Sequence, residues 1–344
     1  MTRMMVSAAA VLVFVGVHGD AVSAPAPKPT GEDIAERHHT CLGFFSAKDD
    51  ANFIKCFADS VVMDFVDSGQ PKLQGAKQAV EKGARPMWDA MPDAKSEAQL
   101  VLVNGSNVAS VDMLTGTNTG SFMGTPASGK KVGIYVGHLL TVDPTKMVAK
   151  RLSAYMDAAT LMGQMGANPA PHRPALTTGW PAKMVVVAKN DAKEKANIAS
   201  WKKGTVGWNK HDVAKAFADY APDVVFHDVG APTDIQGKGE VEKAMQGYWK
   251  AFSDLKGSYS SVWAAGDWVV AVGAASGTNT AAAPEFGIAQ KTGKKVKLNT
   301  LEFVRYDGGK VKDHWIFYNG VAMAQQLGLI PPPGAPAPAP AKTK

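Results

Sequence analysis

A few polar side chains sit on strands that are otherwise apolar, and these are the places where proton chemistry could be done. His138 lies inside the apolar run 132–142. An imidazole turned inward from such a strand can donate to a ligand carbonyl or take up a proton; turned outward it does neither. His227 and Asp228 close another apolar run. Strand side chains alternate, so only one of the two can face a cavity, and His227 is the expected one. His314 and Trp315 alternate in the same way, and Trp315 reads as core or cavity wall. Glu302 stands between apolar neighbours. A carboxylate in a water-poor pocket is pushed toward neutrality and can shuttle protons; an interdomain or surface pairing would leave it inert.

Other signatures are missing. There is no G-x-S-x-G elbow and no H-E-x-x-H helix, so the common serine-hydrolase and zincin chemistries are not indicated. Gly124-x4-Gly129-Lys130-Lys131 has a phosphate-loop outline, but it falls between strands and reads as a hairpin turn. His38-His39 reads as an exposed pair on a helix, with too few ligands nearby for a metal. Neither metal nor cofactor is expected. The chain has 2 cysteines, Cys41 and Cys56. In an exported protein they are the one possible intrachain disulfide, and closing so short a loop contributes about 3 kcal/mol. Lys and Arg exceed Asp and Glu by 37 to 31, but the lysine pairs are scattered and not gathered with aromatics. Nucleic acid is therefore not an expected partner.

The elements that must position these groups come in two sets. Gly116-Thr117-Asn118-Thr119 recurs as Gly277-Thr278-Asn279-Thr280, an offset of 161. Phe57-Ala58-Asp59 recurs at Phe217-Ala218-Asp219, Gln74-Gly75 at Gln236-Gly237, and Gly129-Lys130-Lys131-Val132 at Gly293-Lys294-Lys295-Val296. A nearly constant offset is too long for a solenoid and marks a duplicated domain. The two domains are expected at 31–166 and 184–330, with a stiff proline-rich linker at 167–183. Each opens with a helix (32–45 and 192–203), followed by a short helix carrying Phe-Ala-Asp, a strand, an amphipathic helix and a meander of strands. Helices first and strands after predict an α+β fold, with a curved antiparallel sheet wrapped on about three helices to leave an open cone. Tryptophan is lopsided: Trp201, Trp208, Trp249, Trp263, Trp268 and Trp315 in the second repeat, Trp88 in the first. Flat rings suit a planar apolar ligand and equally fill a core.

The ends have their own chemistry. Residues 1–24 carry Arg3, an apolar run too short to span a bilayer, and small residues at a candidate cleavage point. They read as a secretory signal, the alternative being an uncleaved anchor. The chain is then exported, periplasmic or secreted, with no membrane partner after cleavage. Residues 331–344 are Pro/Ala-rich and read as a disordered tail.

The second repeat's Gly-Thr-Asn-Thr, Thr292-Gly293-Lys294-Lys295-Val296, Leu301-Glu302-Phe303-Val304-Arg305 and the run from Asp307 to Trp315 resemble the SnoaL-like polyketide cyclases and ester cyclases of the NTF2-like superfamily. The first repeat's Gly120-Ser121-Phe122-Met123-Gly124-Thr125-Pro126 fits the same pattern. The resemblance implies two tandem NTF2-like cones, a small hydrophobic carbonyl compound as ligand, and cofactor-free proton transfer by one acid placed four residues after the Trp of His-Trp. That position is Asn319, which cannot exchange a proton; the first repeat has Asp157 there but lacks His-Trp. Asp157 is thus the implied catalytic acid, with His138 its helper, or else a helix N-cap. His227, Trp249, Glu302, His314, Trp315 and Asn319 are the implied ligand-binding set. Isolated cones of this kind pair through their outer sheet faces, so an intrachain pseudo-dimer is expected. Three readings stay open: ligand binding with degenerate catalysis, a cyclase or isomerase, and a ligand-free interaction scaffold.

Overall fold

The structure, a computed structural model, describes residues 28–284 and 287–331. The leader-like segment and all of the Pro/Ala tail but Pro331 lie outside the described residues.

In the first repeat α1 (Gly31–Ala47) opens the fold. Thr30 caps it: its hydroxyl accepts from the Asp33 amide while Asp33 accepts from the Thr30 amide, satisfying two end donors reciprocally. The short α2 (Asp50–Phe53) leads through a 3₁₀ turn, Ile54–Cys56, into β1 (Phe57–Phe65). β2 (Leu73–Gln74) precedes a helical stretch over 76–90, built from α3 (Ala76–Gln78), a π-helical turn at Ala79–Ala84 and α4 (Arg85–Ala90). The sheet is completed by β3 (Lys95–Asn104), β4 (Asn107–Thr117), β5 (Lys131–Asp143) and β6 (Val148–Met156), and α5 (Ala158–Met165) ends the repeat. A further strand, β7 (Met184–Val187), follows the prolines.

The second repeat runs α6 (Ala192–Trp208), α7 (Val213–Ala216), β8 (Tyr220–Asp228), β9 (Ile235–Gln236), α8 (Lys238–Ala251), β10 (Lys256–Ala265), β11 (Trp268–Thr278), β12 (Lys295–Asp307), β13 (Lys310–Phe317) and α9 (Gly320–Leu327). Strand order is β2-β1-β6-β5-β4-β3 in the first sheet and β9-β8-β13-β12-β11-β10 in the second, so the two chain paths are the same. The fold is the expected pair of α+β cones.

Three expectations need correcting. Phe57-Ala58-Asp59 does not sit on a helix: it begins β1, while Phe217-Ala218-Asp219 falls between α7 and β8, and the strand registers set Phe57 against Tyr220. The sheets are mixed, because β1 runs parallel to β6 and β8 parallel to β13. Met184–Val187, assigned by sequence to the second repeat, pairs in parallel with β3 and extends the first sheet; its unbroken Met-Val-Val-Val run has the apolar character of a strand with few polar positions.

The recurring motifs turn out to be structural pins. The Thr117 amide donates to Asp93 at 2.6 Å and the Thr278 amide to Asp254 at 2.5 Å. Asn118 and Asn279 each tie down the following loop, accepting from the amides of Ser128 and Thr292. Gly75 and Gly237 both have φ of 87° before a helix, a left-handed geometry that costs glycine least.

Each sheet is covered on both faces. The inner face packs on its own helices. The outer faces pack on each other: Leu100, Leu102, Ala109, Val111 and Tyr155 meet Trp263, Trp268, Val270, Leu301, Phe303, Trp315 and Phe317 in one apolar cluster. A Cβ on Gly137 would lie 3.0 Å from the Phe317 ring and 3.1 Å from Leu301, so the absent side chain lets the sheets approach. Full burial of one such Phe contributes about 3 kcal/mol.

Candidate functional site

Each cone holds a cavity against its inner sheet face. The first measures about 150 Å³. It is lined largely by apolar side chains, including Phe45, Phe53, Phe57, Phe65, Met63 and Met156. The polar feature is an imidazole–carboxylate–imidazole cluster. His138 Nδ1 lies 2.7 Å from Asp112 Oδ2, and His38 Nε2 lies 3.4 Å from the same oxygen. β4 pairs with β5 so that Ser110 is opposite His138 and Asp112 opposite Val136, which places Asp112 and His138 diagonally on one face. Asp112 is completely buried, and its Oδ1 has no hydrogen-bond partner among the described residues. Burial alone would raise its pKa; the field of His38 and the hydrogen bond with His138 hold it below the ordinary value. His38 is therefore buried, not exposed as its sequence suggested, because α1 lays it over the sheet.

Cys41 and Cys56 form a disulfide and line this same cavity.

The second cavity measures about 170 Å³. Two buried polar groups face it, and the half-buried Ser200–Asp219 pair lies at its edge. In one, Tyr220, His314, Glu302, Tyr259 and Thr300 form a closed relay. Tyr220 O–H is 2.6 Å from His314 Nδ1, and His314 Nε2 is 3.0 Å from Glu302 Oε2. Tyr259 and Thr300 each donate to Glu302 Oε1 at 3.2 Å. Burial pushes the Tyr220 hydroxyl well above its usual range, so it keeps its proton and donates to Nδ1; the ring proton then sits on Nε2, toward Glu302.

The other group is Asp228. Its Oδ1 accepts from the Gly230 amide at 2.9 Å, and Oδ2 accepts from Tyr318 at 3.2 Å and Tyr248 at 3.4 Å. Burial pushes its pKa up to about 6, partly opposed by these hydrogen bonds. Tyr318 is pushed well above its usual range, again by burial first, so it remains a donor. Trp201 and Trp208 form part of the wall.

Of the residues expected from sequence to be catalytic or ligand-binding, His138, Glu302 and His314 line a cavity. The others are placed differently. Asp157 and His138 do not meet. Asp157 caps α5, accepting from the Thr160 amide at 2.8 Å, and also accepts from the Gly320 amide at the start of α9 at 2.8 Å. Asn319 caps α9 and donates from Nδ2 to the Asp67 carbonyl at 3.2 Å. Both lie at the junction of the cones and neither lines a cavity, but Asp157 is near enough to Asp228 for its charge to help raise that carboxyl's pKa. His227 faces the junction too: it stacks on Trp315 with centroids 3.8 Å apart and sits between Asp234 and Asp313. Burial works against its protonation, but the two carboxylates outweigh it and raise its pKa. Trp315 belongs to the inter-sheet cluster, and Trp249 is core, stacked on His211.

Asp228 is the cavity group that sequence reading passed over in favour of His227. Strand alternation from Phe226, which lines the cavity, would have turned Asp228 inward. Asp112, which stands behind His138 and not in the cavity wall itself, was marked by being a lone carboxylate two positions from the lining residue Leu114. Among the described residues no group of three or more His, Cys, Asp or Glu is placed to hold a metal ion, and no helix is long and apolar enough to cross a membrane.

A family model for SnoaL-like polyketide cyclases matches residues 33–165 and 205–327. Among solved structures, AclR from Streptomyces galilaeus is 27% identical, with 40% of this chain and 99% of that chain covered and a TM-score of 0.36. IdmH from Streptomyces antibioticus is 22% identical, covering 38% and 98%, with a TM-score of 0.33. A SnoaL-like protein from Jannaschia sp. CCS1 is 20% identical, covering 42% and 99%, with a TM-score of 0.36. No curated protein is similar enough to count as a match.

Proposed function

This chain belongs to the SnoaL-like polyketide cyclase family, and from that premise we propose that its second cone binds a small hydrophobic carbonyl compound and moves a proton on it without a cofactor. The observation that carries the reading is Asp228: a buried carboxyl in the wall of an apolar cavity, with Tyr248 and Tyr318 on one of its oxygens. A carboxyl that titrates near 6 is ionised at neutral pH yet holds an abstracted proton far better than an ordinary one. Asp228 takes the proton from the carbon next to the carbonyl, the C–H electron pair moves into the enolate, and the same carboxyl returns a proton at a new position or as a ring closes. Trp201 and Trp208 give flat surfaces against which a planar ligand can lie. The Glu302–His314 relay has its hydrogen bonds satisfied internally and reads as the rigid polar floor of the pocket.

The test is deuterium exchange at the activated carbon of 2-tetralone in heavy water, followed by NMR, with affinity from tryptophan fluorescence. Asp228→Asn is expected to slow exchange by about 100-fold and to leave affinity within a factor of about two. Exchange that is unaffected by this substitution would end the reading. A second reading, uptake without chemistry, is favoured by Asn319 standing where the family resemblance implies an acid. It predicts tight binding with no exchange above buffer in the wild type.

We also propose export. The leader-like residues 1–24 and the Cys41–Cys56 disulfide support it, since such bonds persist in oxidising compartments. Fractionation of cells making the full chain checks it, and a cytoplasmic, uncleaved product would count against it.

A further inference from the structure

We propose that the first cone is a second, chemically separate active centre, in which His138 Nε2 acts as general base on a compact apolar substrate with an acidified C–H. This does not rest on Asp228 or on anything in the second cavity.

The argument starts from cost. A carboxylate with no exposure at all is expensive to bury unless it is fully paired. Asp112 is buried to that degree, yet only one of its oxygens is engaged, by His138 at 2.7 Å and His38 at 3.4 Å. The fold does not require it. Strand registers make Gly273 the counterpart of Asp112: Ala98 pairs with Asp112 and Tyr259 with Gly273. The sister cone thus builds the same place with no side chain.

The arrangement does have a chemical use. Bonding through Nδ1 to a buried carboxylate fixes the ring's orientation and tautomer. The other nitrogen, Nε2, makes no hydrogen bond among the described residues, and His138 lines the cavity. Asp112 is then a positioning residue, and His38 approaches the same carboxylate oxygen from α1. The surrounding Met63, Met87, Met147 and Met156 are flexible and adapt to ligand shape. Arg37 also borders the cavity, but its guanidinium donates to the carbonyls of Met147 and Lys55, so the substrate class is a small, mainly apolar molecule that offers one acidic C–H.

The experiment uses the full chain and 5-nitrobenzisoxazole, an apolar probe that reports proton removal by colour. His138 Nε2 takes the ring C–H proton, the freed electron pair completes a nitrile, the N–O bond breaks, and the phenolate leaves. The imidazolium then gives its proton to water. We expect saturable turnover at least ~10-fold faster than free imidazole at equal concentration. Turnover is read in the Asp228→Asn background, because a carboxylate in the second cavity can take the same proton; there His138→Gln removes it, and failure of the second-cone reading leaves this result standing. Asp112→Asn lowers kcat by about 10-fold and leaves KM nearly unchanged, a split that a merely structural carboxylate would not give. Circular dichroism confirms folding of each variant. Should His138→Gln not fold, carbethoxylation of the Asp228→Asn chain decides instead, with turnover falling in proportion to modification of His138 as mapped by mass spectrometry. Turnover no faster than free imidazole, or turnover that survives loss or modification of His138, overturns the proposal.

Discussion

The two cones share a chain path and differ in what faces the hollow. Matching them through their strand registers pairs Phe57 with Tyr220, Phe65 with Asp228, Leu152 with His314, His138 with Glu302, and Asp112 with Gly273. Where the first cone is apolar, the second has a tyrosine, a carboxylate and an imidazole. Where the first has its buried carboxylate, the second has glycine, and the Tyr259 ring crowds that glycine. Small Ala98 stands beside Asp112 in one cone, and large Tyr259 beside Gly273 in the other. A duplicated scaffold can therefore carry two different proton-handling groups while its turns and its shared outer core stay fixed.

The largest expected effect concerns a feature found in the first cone. Cys41 and Cys56 are 15 residues apart in sequence and join α1 to the turn before β1. Replacing both with Ser should lower the unfolding free energy by about 3 kcal/mol. Proton exchange on 2-tetralone in the second cone should stay as in the wild type under native conditions. Urea titration and the exchange assay together check this. Loss of second-cone activity in the folded variant would show that the two hollows are not independent.

Next comes pH, because the two buried carboxylates respond in opposite directions. Asp228 has a folded pKa raised to about 6, against an ordinary carboxyl near 3.9. Its protonated form is favoured by folding, so the stability it contributes is whole below about pH 4 and lost as pH climbs through about 6, a swing of roughly 3 kcal/mol at most. Asp112 is lowered, so its contribution is present above the ordinary carboxyl range and disappears as acid protonates it. Asp228→Asn should therefore gain stability relative to wild type as pH rises from 4 to 7, while Asp112→Asn should be less stable than wild type by a constant margin across that range, a deficit that shrinks only below about pH 4. Unfolding curves across that range read both signs, and parallel curves for the two variants would break the comparison.

The duplication was legible in sequence because its landmarks pin turns. Asp93–Thr117 and Asp254–Thr278, and the Asn118 and Asn279 loops, need particular side chains at fixed spacing. The cavity residues were less legible for a physical reason. Each sheet is buried on both faces, on helices inside and on its sister outside, so apolar alternation does not reveal which face is hollow. His227 and Trp315 look like pocket residues in sequence and are in fact stacked together at the junction. The register of one residue decided between His227 and Asp228. Sequence left Asp157 open between cavity acid and N-cap and set Asn319 in the ligand-binding set, because a position following the last strand can point into the cone or cap the next helix; both prove to be caps. Here α5 and α9 pack on each other, and each N-terminus needs a cap.

That last contrast gives the smallest and sharpest prediction. If the family position were catalytic here, Asn319→Asp would restore an acid to the second cone and raise turnover. The geometry says otherwise. Asn319 Oδ1 accepts from the Val321 amide at 3.1 Å, and Asp would do this as well. Its Nδ2, however, donates to the Asp67 carbonyl at 3.2 Å, and a carboxylate would set oxygen against oxygen there. The variant should lose about 1 kcal/mol of stability. Its exchange rate on 2-tetralone should equal that of wild type, because the new carboxyl faces the first cone's Asp67 loop and not the cavity. A rise in that rate would mean that position 319 reaches the hollow, and that the second cone's chemistry belongs to the chain end of β13 and not to Asp228.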